Sequence, residues 1–259
     1  MSSKEKLNLD NVCLVFATQR SGSTAFCRAV KQTGIFGRPK EVFLNNMVRS
    51  REDVFRILEA TEFPENSRTG SAKIMLSQTL NIANALCGND YDDDHISAVK
   101  AIVDALSAQC QLATFGIIRD EALEIAISLG FASMSGVWHL DNEVERHWSD
   151  ADIAQVAAKA NQALPRVLKE TALLKELSRH VPEIIWYDYD YCAERNFRIS
   201  DDIVFRSEQR NIWGGRLSKR EKAVGDDGMY KKIVNRRDQE RVMEAMDLIS
   251  TQSCSIKND

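Results

Sequence analysis

Seven consecutive residues near the start of the chain, Thr18-Gln-Arg-Ser-Gly-Ser-Thr24, collect the groups that hold an anion. Ser21, Ser23 and Thr24 bring hydroxyl donors, Arg20 a planar cation, and Gly22 a backbone that a ligand can approach closely. The segment follows an apolar run, Val12-Cys-Leu-Val-Phe-Ala17, and precedes Phe26, Ala29 and Val30 at i, i+3 and i+4. A loop between a strand and a helix start presents free N–H groups and the positive end of the helix dipole. An ordinary Ser-capped turn between strand and helix is the plainer reading of the same residues. A Walker A loop needs a Lys before its final Ser or Thr; none stands here, which disfavours a Mg-nucleotide kinase or NTPase.

Such a loop works only if a scaffold holds it open to one side, and the rest of the chain supplies one. Val12–Ala17, Ser71–Leu76, Leu112–Ile118 and Glu183–Tyr187 read as strands. Helical spacing covers the segment ended by Gly34, Arg51–Ala60, Thr79–Leu86, the face Val99/Ile102/Val103/Leu106, Glu121–Met134 with Asp120 as N-cap, Ala151–Ser178 and Val234–Ile249. Pro165 marks a kink or a new first turn. Trp138 to Asp150 and the stretch around Gly214-Gly215 read as loops. Strands alternating with helices predict an α/β fold, a parallel sheet flanked by helices on both faces, in one domain over 1–259. Ligands of such sheets sit beyond the carboxyl ends of the strands, which puts Arg119 on the same rim as the loop.

Composition excludes several classes. The chain has 259 residues, with 44% hydrophobic, 28% charged, 4 Pro and 12 Gly, so it is neither low-complexity nor intrinsically disordered. No apolar run reaches the ~18–20 residues of a membrane span. The polar opening MSSKEKLNLDN shows no secretory signal. A net charge of −4 gives no overall nucleic-acid footprint, although Arg206 to Arg241 holds 11 Lys/Arg against 6 Asp/Glu. Six scattered cysteines without a CxxC pair give neither a zinc site nor a disulfide framework, so a reducing cytoplasm is the expectation.

The segment LVFATQRSGSTAFCRAVKQTGIFGRPKEVF resembles the opening of the bacterial trehalose 2-sulfotransferase-like carbohydrate sulfotransferases. The likeness rests on Gln19 to Thr24, Thr33-Gly34, Gly37, Pro39, Glu41 and Phe43. It continues in Gly70-Ser-Ala-Lys73-Ile-Met75, in Phe115 to Arg119 with Ala126 to Ser128, and in Ser135-Gly136-Val-Trp138-His139. Together these touch the first ~140 residues, and the part from about 190 diverges.

The resemblance implies a P-loop-like fold and transfer of a sulfuryl group from 3′-phosphoadenosine 5′-phosphosulfate (PAPS) to a hydroxyl of a carbohydrate or glycolipid, without a metal. Arg20, Ser21, Gly22, Ser23 and Thr24 would hold the 5′-phosphosulfate, with Arg20 also stabilising charge on the leaving oxygen. Arg119 and Ser128 would hold the 3′-phosphate, and Glu41 would be the general base. Lys73 would donate to the acceptor or the sulfate, and Trp138 and His139 would meet the sugar. Lys222 corresponds to cations near the 3′-phosphate. Alternatives stay open: Glu41 as a helix cap, Arg119 paired with Asp120 or Glu121, Ser128 in the core, a packed Trp138, a solvated Lys222. Phe131 stands where relatives carry Arg, which puts acceptor recognition or activity in doubt. A weakly active or inactive module binding 3′-phosphonucleotides, or another P-loop-class nucleotide enzyme, is the second expectation. No nucleic acid or membrane partner is expected, and a homodimer is compatible with the sequence.

Overall fold

A computed structural model of the chain describes residues 6–43, 48–61, 67–138, 147–209 and 236–255, with the side chains of the last segment described to 247. Four parallel strands form one sheet: β1 (Asn11–Ala17), β2 (Thr69–Met75), β3 (Gln111–Ile118) and β4 (Ile185–Asp188), in the order β2-β1-β3-β4. The apolar runs are strands because they are buried on both faces, which removes the polar alternation of a half-exposed sheet. Val15 of β1 is in register with Lys73 on one side and Phe115 on the other. Successive connections run to opposite sides of β1, so the order reverses between β1 and β3. In parallel α/β sheets such a reversal is where ligands bind, beyond the carboxyl ends of the strands.

Nine helices are described: α1 (Ser23–Gln32), α2 (Arg51–Glu59), α3 (Thr79–Cys87), α4 (His95–Ser107), α5 (Ala122–Ser135), α6 (Asp150–His180), α7 (Tyr189–Glu194), α8 (Ser200–Gln209) and α9 (Arg236–Ser255). Val12, Leu14 and Phe16 of β1 pack with the apolar faces of α2, α3 and α4. The opposite face carries Phe115, whose ring meets Phe26 of α1 at 6.3 Å and Phe36 at 5.8 Å. Helices therefore cover both faces, as the alternating pattern predicts.

Four expectations need correction or completion. The N-cap of α5 is Glu121, without a side-chain cap bond; Asp120 contributes its carbonyl, which accepts from Ala122 N–H at 2.8 Å. Pro165 starts no new helix, since α6 runs unbroken past it. Gly34 lies one residue beyond the C-cap Thr33, at φ +70°, where glycine commonly ends a helix. Two short helices, α7 and α8, follow β4 where no helix is expected from spacing.

The chain forms two compact units. The first, Met1–Arg119 with Leu173–Gly228, contains the sheet. The second is Asp120–Ala172 with Met229–Asp259. Its core gathers α5, the first part of α6, Trp148, and Val242 and Met246 of α9. A Cβ on Gly130 would lie 2.7 Å from the Val156 carbonyl, so glycine allows α5 and α6 to approach closely. Arg241 bonds to the Trp148 carbonyl at 3.1 Å and to Asp150 at 2.6 Å, fastening α9 to the start of α6.

Candidate active site

The anion loop leaves the carboxyl end of β1, and α1 begins at Ser23 with Gly22 as its N-cap. Gly22 takes φ +80° and, having no side chain, offers no cap to the first N–H groups of α1. No acidic residue stands in the first turn of α1, which leaves the dipole's positive end uncompensated by the helix itself. Arg20 also lies in the left-handed region, at φ +59°, a strained conformation for a side-chain-bearing residue. Ser21 is buried and spends its hydroxyl on the loop, donating to the Thr18 carbonyl at 2.8 Å. It shapes the loop from inside, while Ser23 and Thr24 lie on the helix's first turn.

Glu41 reaches this place through the edge of the sheet. Beyond the Gly37-Arg38-Pro39 turn, Lys40 forms a single parallel bridge to Ala72 of β2, and Lys73 N–H donates to the Lys40 carbonyl at 2.8 Å. The next residue, Glu41, pairs through Oε1 with Lys73 Nζ at 2.5 Å. Lys73 Nζ also contacts Ser23 Oγ at 3.5 Å. The Lys73 side chain is only 6% exposed and that of Glu41 22%, so the ammonium is the buried member and the carboxylate the accessible one. A buried ammonium needs such a partner, because desolvation without one is costly.

Cys27 lies one turn along α1 from Ser23. Burial pushes its thiol up to about 12, while Lys73 and Arg38 pull it down and Glu41 raises it again. The thiol stays neutral, and these fields place Arg38 in the same neighbourhood. Arg38, a half-buried cation between two turn-forming residues, is one functional candidate the sequence reading passed over; its place three residues before Glu41 is the signal that could have found it.

Arg119 follows the last residue of β3, is only 8% exposed, and its Nη1 donates to the Arg20 carbonyl at 3.5 Å. Its guanidinium lies 4.2 Å over the ring of Tyr189, the first residue of α7, with room for a cation–π contact. Tyr189 in turn packs on Phe197 at 6.0 Å between ring centres. A Cβ on Gly22 would fall 2.6 Å from the Tyr189 ring and 3.2 Å from Phe197. Glycine is thus required here twice, for its φ and for the aromatic pair that closes against the loop. Sequence reasoning missed Tyr189 and Phe197; their cue was position, just past the carboxyl end of a fourth parallel strand.

The structure brings together Arg20, Ser21, Gly22, Ser23, Thr24, Glu41, Lys73 and Arg119 in the first unit. Ser128 belongs to the second unit, half-buried on α5, and Trp138 follows that helix in the same unit, 45% exposed. Phe131 fills the second unit's core, its ring 4.9 Å from Trp148, so packing accounts for the apolar residue at that position. His139 and Lys222 lie outside the described residues. Among the described residues no group of three His, Cys, Asp or Glu could hold a metal, and no helix is long and apolar enough to cross a membrane.

No curated protein matches the sequence. The family model described as Stf0 sulphotransferase matches residues 12–172, a span that takes in β1, the anion loop, the Glu41–Lys73 pair and Arg119. On that match over more than half its length, and with the loop, carboxylate and cations gathered at one end of a parallel sheet, the chain belongs to the Stf0 sulphotransferase family.

Proposed function

We propose that the protein transfers a sulfuryl group from PAPS to a hydroxyl of a carbohydrate or glycolipid acceptor. The observation that supports this most is the meeting of Glu41 and Lys73 with the first turn of α1. An accessible carboxylate stands beside a cradle suited to an anion, and a family of sulfotransferases uses this stretch of sequence. The donor supplies an activated sulfuryl group on a phosphate. In the transfer, the acceptor oxygen bonds to sulfur, the sulfur–phosphate oxygen bond breaks, and the hydroxyl proton goes to Glu41. The bond electrons leave with 3′-phosphoadenosine 5′-phosphate.

Each residue has a role that its surroundings permit. Ser23, Thr24 and the open N–H groups of α1 bind the 5′ end of the donor, and Arg20 offsets charge growing on the leaving oxygen. Arg119, backed by Tyr189, is a guanidinium fixed in direction, suited to the 3′-phosphate. Such transfer is loose and in line, so positioning and charge stabilisation carry most of the catalysis. Ser128 for the 3′-phosphate, Trp138 and His139 for the sugar, and Lys222 for the nucleotide rest on the family likeness alone. The reading needs no metal, and it suits a reducing cytoplasm, where Cys13, Cys27, Cys87, Cys110 and Cys192 remain free thiols.

The test pairs binding with turnover. Calorimetry compares 3′-phosphoadenosine 5′-phosphate with AMP, ADP and ATP, and labelled PAPS is then offered with a panel of sugars and glycolipids in excess EDTA. Selective binding of the 3′-phosphorylated nucleotide with label transfer is the expected result. Selective binding without transfer to any acceptor makes the protein a nucleotide-binding module, and preference for ATP removes PAPS as the donor.

A further inference from the structure

Lys73 fixes the candidate base at two points. Its backbone N–H holds the Lys40 carbonyl at 2.8 Å, and its side chain holds Oε1 of the next residue, Glu41, at 2.5 Å. The ammonium reaches Ser23 of the loop only at 3.5 Å. The shorter contact is to the carboxylate, and the lysine is almost fully withdrawn from solvent while the carboxylate is not. Apart from this pair, Glu41 makes no hydrogen bond or ion pair among the described residues, so nothing else there sets the direction of its carboxylate. The segment carrying Glu41 joins the sheet through the single Lys40–Ala72 bridge, too little backbone pairing to orient a side chain by itself.

We propose that Lys73 is a positioning residue, acting on the transfer through Glu41: it holds one carboxylate oxygen, leaves the other for the acceptor's proton, and spans the gap between that carboxylate and Ser23. The sulfuryl acceptor of the reading above then meets a base whose direction is set chiefly from β2, through the shorter of the two Lys73 contacts. This inference rests on the assignment of Glu41 as base. It differs from a role in which Lys73 touches donor or acceptor, because such a contact would act whether or not the base is present.

A double-mutant cycle separates the two. Lys73→Met removes the charge and keeps the length; Lys73→Gln serves if the Met variant does not give a native thermal melt. Removing Lys73 is expected to lower kcat about 10–100-fold by misplacing the base, with the Kd for 3′-phosphoadenosine 5′-phosphate unchanged within about 2-fold. In the Glu41→Gln background the same change is expected to alter kcat by less than about 2-fold, since its effect passes through a carboxylate already gone. A further loss of about 10-fold or more in that background, or a Kd weakened to the same extent as kcat, overturns the proposal and makes Lys73 a ligand-binding residue. A readout that needs no turnover comes from the ammonium ¹H–¹⁵N signal of Lys73. It should be observable in the wild type because exchange is slowed, and lost in Glu41→Ala. A signal unaffected by Glu41→Ala overturns the pair itself. If the pair is confirmed while no acceptor is sulfated, the proposed function fails on its own.

Discussion

Glu41 illustrates how one residue's surroundings divide its chemistry. One oxygen is tied to Lys73 and the side chain remains partly open to solvent, a state that suits the proposed role of accepting a proton from an arriving hydroxyl. Glu41→Gln keeps the size, and its amide oxygen can still accept from Lys73, but it cannot take the proton. It is expected to lower kcat by about 10²-fold or more and leave nucleotide affinity intact. Sulfate-transfer kinetics beside calorimetry check this, and turnover above about half of wild type would remove Glu41 as the base. Arg119 makes the complementary case. A charge-assisted hydrogen bond is worth ~1.5–3 kcal/mol, so Arg119→Ala should weaken binding of 3′-phosphoadenosine 5′-phosphate at least about 10-fold. AMP, lacking the 3′-phosphate, should bind the variant and the wild type alike; a parallel loss for AMP would show that the arginine supports the loop through the Arg20 carbonyl instead.

The elements that carry these residues were legible to different degrees, for physical reasons. β1 and β3 were readable because burial on both faces leaves them nearly continuous apolar runs, β2 only from its small and apolar residues around Lys73, and α2 to α4 because each shows one apolar face to the sheet. α7 and α8 were not. Tyr189–Glu194 is only six residues long, with Tyr189 and Cys192 its buried positions, too short for periodicity to show. The Asp120 cap was misplaced because capping depends on which backbone carbonyl and side chain face the first turn, a matter of one residue. Of the site, the loop and Glu41 stood in one segment and were legible together. Arg38 and the Tyr189–Phe197 pair were not, since an unremarkable turn residue and two aromatics gain meaning only from their neighbours. Where a cap was built, it has a measurable consequence. Ser97 N–H of α4 donates to Asp94 at 3.0 Å, and the Ser97 side chain and backbone hold the Asp94 carboxyl below its usual value. A depressed folded value means that stability is present above the ordinary Asp range near ~3.9 and is lost as pH falls through the folded value. Asp94→Ala should cost about 1 kcal/mol near neutral pH, chiefly the lost cap, with a smaller difference from wild type in acid. Denaturant melts at pH 7 and pH 3 check it, and an equal cost at both would assign the loss to helix propensity rather than to the charged cap.

Across the whole molecule, every cysteine whose side chain is described belongs to the first unit, and burial pushes up the thiols of Cys13, Cys27, Cys110 and Cys192. With its thiol near 12, Cys27 should resist alkylation at pH 8 until the first unit opens. Nucleotide at about 100 times its Kd should then slow that labelling by about 100-fold, because binding to the folded form alone stabilises by ~2.7 kcal/mol. Peptide mass spectrometry reads it residue by residue; labelling of Cys27 at the rate of a free thiol would mean that α1 lifts from the sheet without unfolding. The strand order adds a consequence in the time of synthesis. Ser23 waits 50 residues for Lys73, and Arg20 waits 99 for Arg119. Tyr189 and Phe197, which close against Gly22, follow only after the whole second-unit segment Asp120–Ala172 has been made. The loop is therefore made before every partner that completes it, and a ligand of the assembled loop would stabilise it only once Phe197 has been made.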